Sequence, residues 1–266
     1  MQNWDNFFRD NQNIWNQRAR LHKGSAFYDV DGFLLGKEVL TEIELKELGS
    51  VNGKSMLHLQ CHFGLDTLGW ARHGANVTGI DFSADAIGIA KNIAEQSGLP
   101  AEFICCNVYD SATFLGDRKF DILFTSYGVV GWLPDLNMWG KIIRRHLRAG
   151  GIFYLAEFHP VLWMFDDEFA RIEYPYHNVD VISNDSTDSY ANRNAAIYGR
   201  EHSWNHGISE VLNALLQQGL QIRHFNEFSF SPYPCFKNMV QVDDRKWNIS
   251  GFESKLPMVY SIYATG

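Results

Sequence analysis

The sequence predicts a three-layer α/β/α fold built on a doubly wound, mostly parallel sheet. Three observations carry this. From Ser55 onward, short apolar runs alternate with segments whose apolar residues recur at helical intervals. Short turns join these segments, so each strand must return beside its neighbour through a helix, which covers both faces of the sheet. With 266 residues and 45% hydrophobic content, the chain can bury one sizeable core.

Residues 3–22 space Trp4, Phe7, Phe8, Ile14 and Trp15 at loose helical intervals, and 39–48 (VLTEIELKEL) reads as a second helix stopped by Gly49. The first strand is SMLHLQ (55–60), followed by a helix that Gly64 opens and that ends near Gly74. ANVTGID (75–81) is the second strand. Ser83 then caps a helix carrying Ala86, Ala90, Ile93 and Ala94, which Gly98-Leu99-Pro100 breaks. AEFICC (101–106) and FDILFTS (120–126) are strands three and four. A helix over 137–147 places Trp139, Ile142, Ile143 and Leu147 on one stripe, and Gly150-Gly151 is expected to end that segment before strand five, IFYLAEF (152–158).

Past His159 the rhythm lapses for roughly 45 residues, longer than ordinary connections within a domain. Helix 208–218 and strand 220–230 follow, then a second irregular stretch over 231–256 and a last strand at 257–265. The expected organisation is an N-terminal helical lid (1–50) and a main domain (51–266) with insertions at about 160–206 and 231–256. Late insertions in α/β units lie over the carboxyl edge of the sheet, where ligands bind.

The formal net charge of −8 argues against nucleic acid, whose phosphates demand a basic face. The first residues show no basic stretch leading into an apolar run, and no segment approaches the ~18 apolar residues of a membrane span. With four cysteines and no such signals, a reducing cytoplasm is the expected location, with no membrane partner.

The ligand site is expected where the turn after the first strand delivers backbone N–H groups at a helix N-terminus. Gln60, Cys61 and Gly64 form that turn, and Gly64 lets the backbone approach a ligand without a Cβ. Asp81 ends strand two 17 residues after Gly64, and its two oxygens suit the two hydroxyls of a ribose. Asn107 ends strand three, within reach of an adenine edge. G-x-G-x-x-G is absent and so is the P-loop, which disfavours NAD, FAD and ATP. The residues point to an adenosine-containing ligand.

The order MLHLQCHFGLDTL (56–68), GIDFS (79–83), CCNVYD (105–110) and TSYGVVGWLPD (125–135) resembles the class I S-adenosylmethionine-dependent methyltransferase superfamily, in particular a bacterial branch of small-molecule enzymes. The resemblance covers roughly 50–160, and the helix-strand-strand tail agrees with the antiparallel last strand of that Rossmann-like fold. It implies S-adenosylmethionine as cofactor, Phe82 packed on the adenosine, Val108 along the adenine, and Ser126 beside the methionine part. It also implies that Trp15, Arg18 and Tyr28 belong to a lid whose arginine pairs with the methionine carboxylate. The sequence departs from the superfamily's Asp-x-Gly-x-Gly-x-Gly pattern, for it has His58-Leu-Gln60-Cys-His62-Phe-Gly64. Only the last glycine is kept, and His58 replaces the acid.

The reaction implied is in-line displacement of a methyl group onto a small-molecule acceptor, governed by alignment. A general base is needed only if the acceptor starts protonated; Glu157, His159, His202 and His206 are candidates near the carboxyl edge. His202 and His206 stand four apart, but Gly207 places them in a loop and no third ligand accompanies them, so no metal is expected. Trp132, Trp163, Trp204 and Tyr127 suit either an acceptor pocket or the core. Two other readings compete: a non-catalytic module that binds S-adenosylmethionine or adenosine as a sensor, and a nicotinamide oxidoreductase.

Overall fold

A computed structural model describes residues 4–177 and 180–266. Residue 3 of the expected first helix and residues 178 and 179 of the expected 160–206 insertion lie outside the described residues. The N-terminal part holds α1 (Asp5–His22), α2 (Val30–Leu34) and α3 (Glu42–Leu48). The main domain runs β1 (Ser55–Leu59), α4 (Leu65–Arg72), β2 (Asn76–Asp81), α5 (Ala84–Ser97), β3 (Ala101–Cys105), α6 (Ser111–Leu115), β4 (Phe120–Ser126), α7 (Leu136–His146) and β5 (Leu147–Phe158). It continues through β6 (Ile182–Ser186), β7 (Gly199–Ser203), α8 (Ile208–Leu216), β8 (Gln221–Phe228), β9 (Met239–Asp243), β10 (Lys246–Ile249) and β11 (Val259–Thr265).

Seven strands form the central sheet in the order β3-β2-β1-β4-β5-β11-β8. The pairs β2–β3, β1–β2, β1–β4 and β4–β5 are parallel, and β11 runs antiparallel to both β5 and β8. The expected fold, with its antiparallel last strand, is the observed one.

Side-chain alternation sorts the core into layers. Leu57, Leu59, Ile80, Leu123, Phe153 and Leu155 face α7 and α8, where Trp139 meets the Phe153 ring edge-on at 5.5 Å. Met56, Ile122, Phe124 and Tyr154 face the opposite layer, against Trp70 of α4. Each such aliphatic or aromatic side chain contributes about 1.5–3 kcal/mol by leaving water, so the doubly covered sheet is the rigid part of the molecule.

Several boundaries differ from expectation for local reasons. Thr41 caps α3 reciprocally with Glu44, so the expected 39–48 helix starts three residues late. The expected break at Gly150-Gly151 is instead a bulge inside β5, which begins at Leu147. Gly150 adopts φ +71° and donates to the carbonyl of Gly266 at 2.7 Å, so the ladder with the C-terminus continues through the pair. The two stretches expected to be irregular each carry an antiparallel hairpin, β6–β7 and β9–β10. The first is held by α1: Asn11, fully buried, accepts from the N–H of His202 and donates to its carbonyl, both at 2.8 Å. Among the described residues no helix is long and apolar enough to cross a membrane.

Candidate functional site

The site lies over the carboxyl ends of β1, β2, β3 and β4, and α1 lies across that edge. Going along α1, Phe8 packs on Tyr109 after β3 and Gln12 donates to the carbonyl of Phe82 after β2 at 2.6 Å. Trp15 then meets His62 after β1 and Trp132 after β4, edge-on at 5.4 and 5.3 Å. The last residue, His22, contacts His62 ring nitrogen to ring nitrogen at 3.0 Å. Asn16 accepts from Ser83 Oγ at 2.7 Å and so braces the N-cap of α5 from above. The segment therefore runs along the sheet edge, in contact with the loops after β1, β2, β3 and β4.

The loop after β1 has an unusual backbone. Gln60, His62 and Gly64 have φ of +56°, +50° and +77°. These are the three positions at which the superfamily pattern has glycines. The chain keeps the backbone of a triple-glycine loop with one glycine. A non-glycine residue in the left-handed region costs about 1–2 kcal/mol, and persists only where neighbours impose it. They do so here: Cys61 N–H donates to Ile80 O at 2.9 Å, His62 N–H to Asp81 Oδ2 at 2.9 Å, and Gln60 Nε2 to Val129 O at 3.2 Å. Glycine suits position 64 because a Cβ there would stand 2.6 Å from the buried Phe103 ring and 3.2 Å from Ala90 Cβ.

Asp81 sits at the end of β2, buried, with Oδ1 accepting from Ser83 N–H at 2.8 Å and Oδ2 from His62 N–H at 2.9 Å. Burial pushes its carboxyl up to about 6, against the opposing pull of those N–H groups. Each oxygen holds one backbone donor and retains acceptor capacity for another. Phe82 beside it is half-buried. Asn107 Oδ1 accepts from Tyr109 N–H at 3.1 Å, capping a 3-10 turn. Val108 is buried in the core layer under α7.

At the other end of the site, Ser126 Oγ donates to Asp66 Oδ2 at 3.0 Å and lies 3.4 Å from His58 Nε2. Tyr28 contacts Tyr190 hydroxyl to hydroxyl, and its ring packs on Phe63 at 4.7 Å and on His22 at 5.1 Å. Arg18 is buried, ion-paired to Glu201 at 2.7 Å, with its guanidinium 5.1 and 5.7 Å from the ring centroids of Trp15 and Trp132. Its Nε is buried without a hydrogen-bond partner, as is Gln60 Oε1. Trp70 Nε1, Trp139 Nε1 and Thr125 Oγ1 in the core are unpartnered as well. Burial lowers His22 and His58 to about 3 and holds His62 well below its ordinary value, so these three rings are neutral at pH 7.

The four candidate bases each have partners in the fold. Glu157 ends β5 with its carboxylate turned into the β4–α7 loop. It accepts from Val129 N–H at 2.8 Å, Val130 N–H at 2.9 Å and Phe158 N–H at 2.7 Å, as well as from Gly128 N–H. His159 caps a 3-10 turn, its Nδ1 accepting from Val161 N–H at 3.2 Å and its Nε2 3.0 Å from Glu227. His202 holds the lid to β7, with Nδ1 2.8 Å from Ser183 Oγ and Nε2 3.2 Å from Asp10. His206 Nε2 is 2.6 Å from the carbonyl of Leu133. Among the described residues no group of three or more His, Cys, Asp or Glu side chains is arranged to hold a metal ion. Trp132 packs against Trp15 of α1, whereas Trp204 and the 40% exposed Trp163 line one pocket with Glu157 and His206. Tyr127 donates to Glu44 Oε2 at 3.0 Å and packs edge-on against Tyr233 at 5.1 Å.

Sheet order, antiparallel last strand and a ligand edge at the β1–β2 loops converge on one architecture. Residues 56–151 match the family described as a methyltransferase domain. The chain has the class I methyltransferase fold. It superposes on an S-adenosylmethionine dependent methyltransferase from Mesorhizobium loti with a TM-score of 0.58, at 19% identity over 88% of this chain and 100% of that one. Geranyl diphosphate C-methyltransferase from Streptomyces coelicolor A3(2) superposes with a TM-score of 0.60, at 14% identity over 97% of each chain. By sequence the chain is 31% identical to an uncharacterised methyltransferase from Synechocystis over 49% of its length and 59% of the relative's. It is 31% identical to a ubiquinone biosynthesis O-methyltransferase from Coxiella burnetii over 40% of its length and 44% of the relative's. The matched part of this methyltransferase fold thus spans about half the length of those curated relatives.

Proposed function

We propose that the protein is an S-adenosylmethionine-dependent methyltransferase with a small-molecule acceptor. The observation that carries this reading is the left-handed loop at Gln60, His62 and Gly64 joined to Asp81 through the His62 N–H. That pairing sets an acid with spare acceptor capacity beside a backbone turn at the start of α4, the layout an adenosine needs. Asp81 would hold the ribose, Phe82 and Asn107 would flank the base, and Gln60 and Ser126 would border the methionine part. Trp15, Arg18 and Tyr28 would close over it, with the unpartnered Arg18 Nε turned to its carboxylate. When bound, S-adenosylmethionine supplies an electrophilic methyl group. The chain's part is then alignment and the exclusion of water under α1. The carboxylate of Glu157 is committed to four backbone N–H groups, so the acceptor's own nucleophilicity carries the chemistry.

Incubation with methyl-labelled S-adenosylmethionine and a panel of small amines, phenols, thiols and enolisable ketones tests this. Label is expected in at least one acceptor class, with S-adenosylhomocysteine formed in equal amount. Cofactor binding with no transfer across the panel would replace this reading with that of a sensor module.

A further inference from the structure

The superfamily pattern implies an acid at the end of the first strand, and here that residue is His58. The ring of His58 is fully engaged: Nδ1 lies 2.8 Å from Thr67 Oγ1 and Nε2 faces Ser126 Oγ at 3.4 Å. Buried and neutral, it presents no negative charge to a ligand.

A carboxylate nevertheless stands at that edge. Asp66, in the first turn of α4, reaches across to Ser126 at the end of β4, accepting from its hydroxyl at 3.0 Å. Ser126 Oγ is thus shared by His58 and Asp66, which places the Asp66 carboxylate within one hydroxyl of the missing acid's position. We propose that Asp66 replaces that acid and receives the α-ammonium of the cofactor's methionine moiety. This rests on the cofactor assignment above.

The surroundings of Asp66 fit a cationic guest. The phenols of Tyr28 from the lid, Tyr190 from the first insertion and Tyr233 from the second all lie within its field. Tyr190 also lies within the field of Arg18. Glu44 on α3 and Glu38 add negative charge around Asp66, opposed by the positive charge of Arg245, whose guanidinium donates to the carbonyls of Val39 and Leu40 at 2.9 and 3.0 Å. Burial, with Glu44 next, raises the carboxyl to about 7. An ammonium bound there favours the ionised form, so affinity for an ammonium-bearing ligand rises with pH through about 7 and falls below it.

The test is calorimetric titration of wild type and Asp66→Asn with two probes. S-adenosylhomocysteine carries the amino acid; 5′-methylthioadenosine keeps the nucleoside and lacks it. Asp66→Asn retains an oxygen for Ser126 and is nearly isosteric, and its melting curve checks folding. The expected result is a 10- to 100-fold loss of S-adenosylhomocysteine affinity with methylthioadenosine unchanged within twofold, the scale of one charge-assisted hydrogen bond. Wild-type affinity for S-adenosylhomocysteine should fall as pH drops from 8 to 6 more steeply than that of Asp66→Asn, whose remaining fall is that of Asp81 near 6. Unchanged S-adenosylhomocysteine binding, or an equal loss for both probes, overturns the assignment of Asp66. Failure of wild type to bind either probe overturns the cofactor assignment itself, a distinct outcome.

Discussion

Asp81→Ala is expected to weaken S-adenosylhomocysteine binding at least about 100-fold, because two hydrogen bonds to a charged acceptor are lost at about 1.5 kcal/mol or more each. The carboxylate also holds the N–H groups of His62 and Ser83 at 2.9 and 2.8 Å. Alanine therefore loosens the loop as well as the ribose contact. Asp81→Asn keeps one carbonyl oxygen but turns its amide N–H2 toward the other backbone donor, so its affinity loss should be about tenfold and its melting temperature should lie between those of wild type and the alanine variant. Burial raises Asp81 to about 6 in the free protein. Hydroxyls donating to the carboxylate favour its charged form, so affinity is full above about pH 6 and declines as pH falls through it. A change under threefold for Asp81→Ala would remove Asp81 from the site.

Glu157→Ala is expected to be the most destabilising single substitution at this edge. It strands the N–H groups of Gly128, Val129, Val130 and Phe158, which the carboxylate now satisfies in a buried place. The cost of unpaired buried donors next to a removed charge suggests about 4 kcal/mol. Urea denaturation measures it. Glu157→Gln should recover only part, because its amide N–H2 meets a backbone donor on one side. A loss below 1 kcal/mol for the alanine variant would mean that the β4–α7 loop finds other acceptors.

The sheet was legible because parallel strands covered on both faces read as apolar runs, and β1, β2, β4 and β5 are such runs. Asp81 was legible for a related reason: an acid ending a buried strand needs donors, and it has them. The β6–β7 hairpin was not, since ISNDS and GREHS carry no apolar alternation. Its pairing depends on contacts nearly two hundred residues away, from Asn11 to His202. The loop misled in the opposite sense. With two glycines missing it reads as degenerate, yet Gln60 and His62 take the glycine conformation because Ile80, Asp81 and Val129 hold them there. Asp66 gave no signal of its own, because its place opposite Ser126 is made by the crossing of α4 over β4. The histidines at 159, 202 and 206 were visible as residues, but their caps and lid contacts belong to tertiary structure.

The measurement that bears most directly on the central claim is titration of the wild-type protein with S-adenosylhomocysteine, followed by NADH under the same conditions. The account predicts a saturable one-site isotherm in the micromolar range for the first and no competing binding by the second. Absence of S-adenosylhomocysteine binding up to millimolar concentration, or tighter binding of NADH, would contradict it.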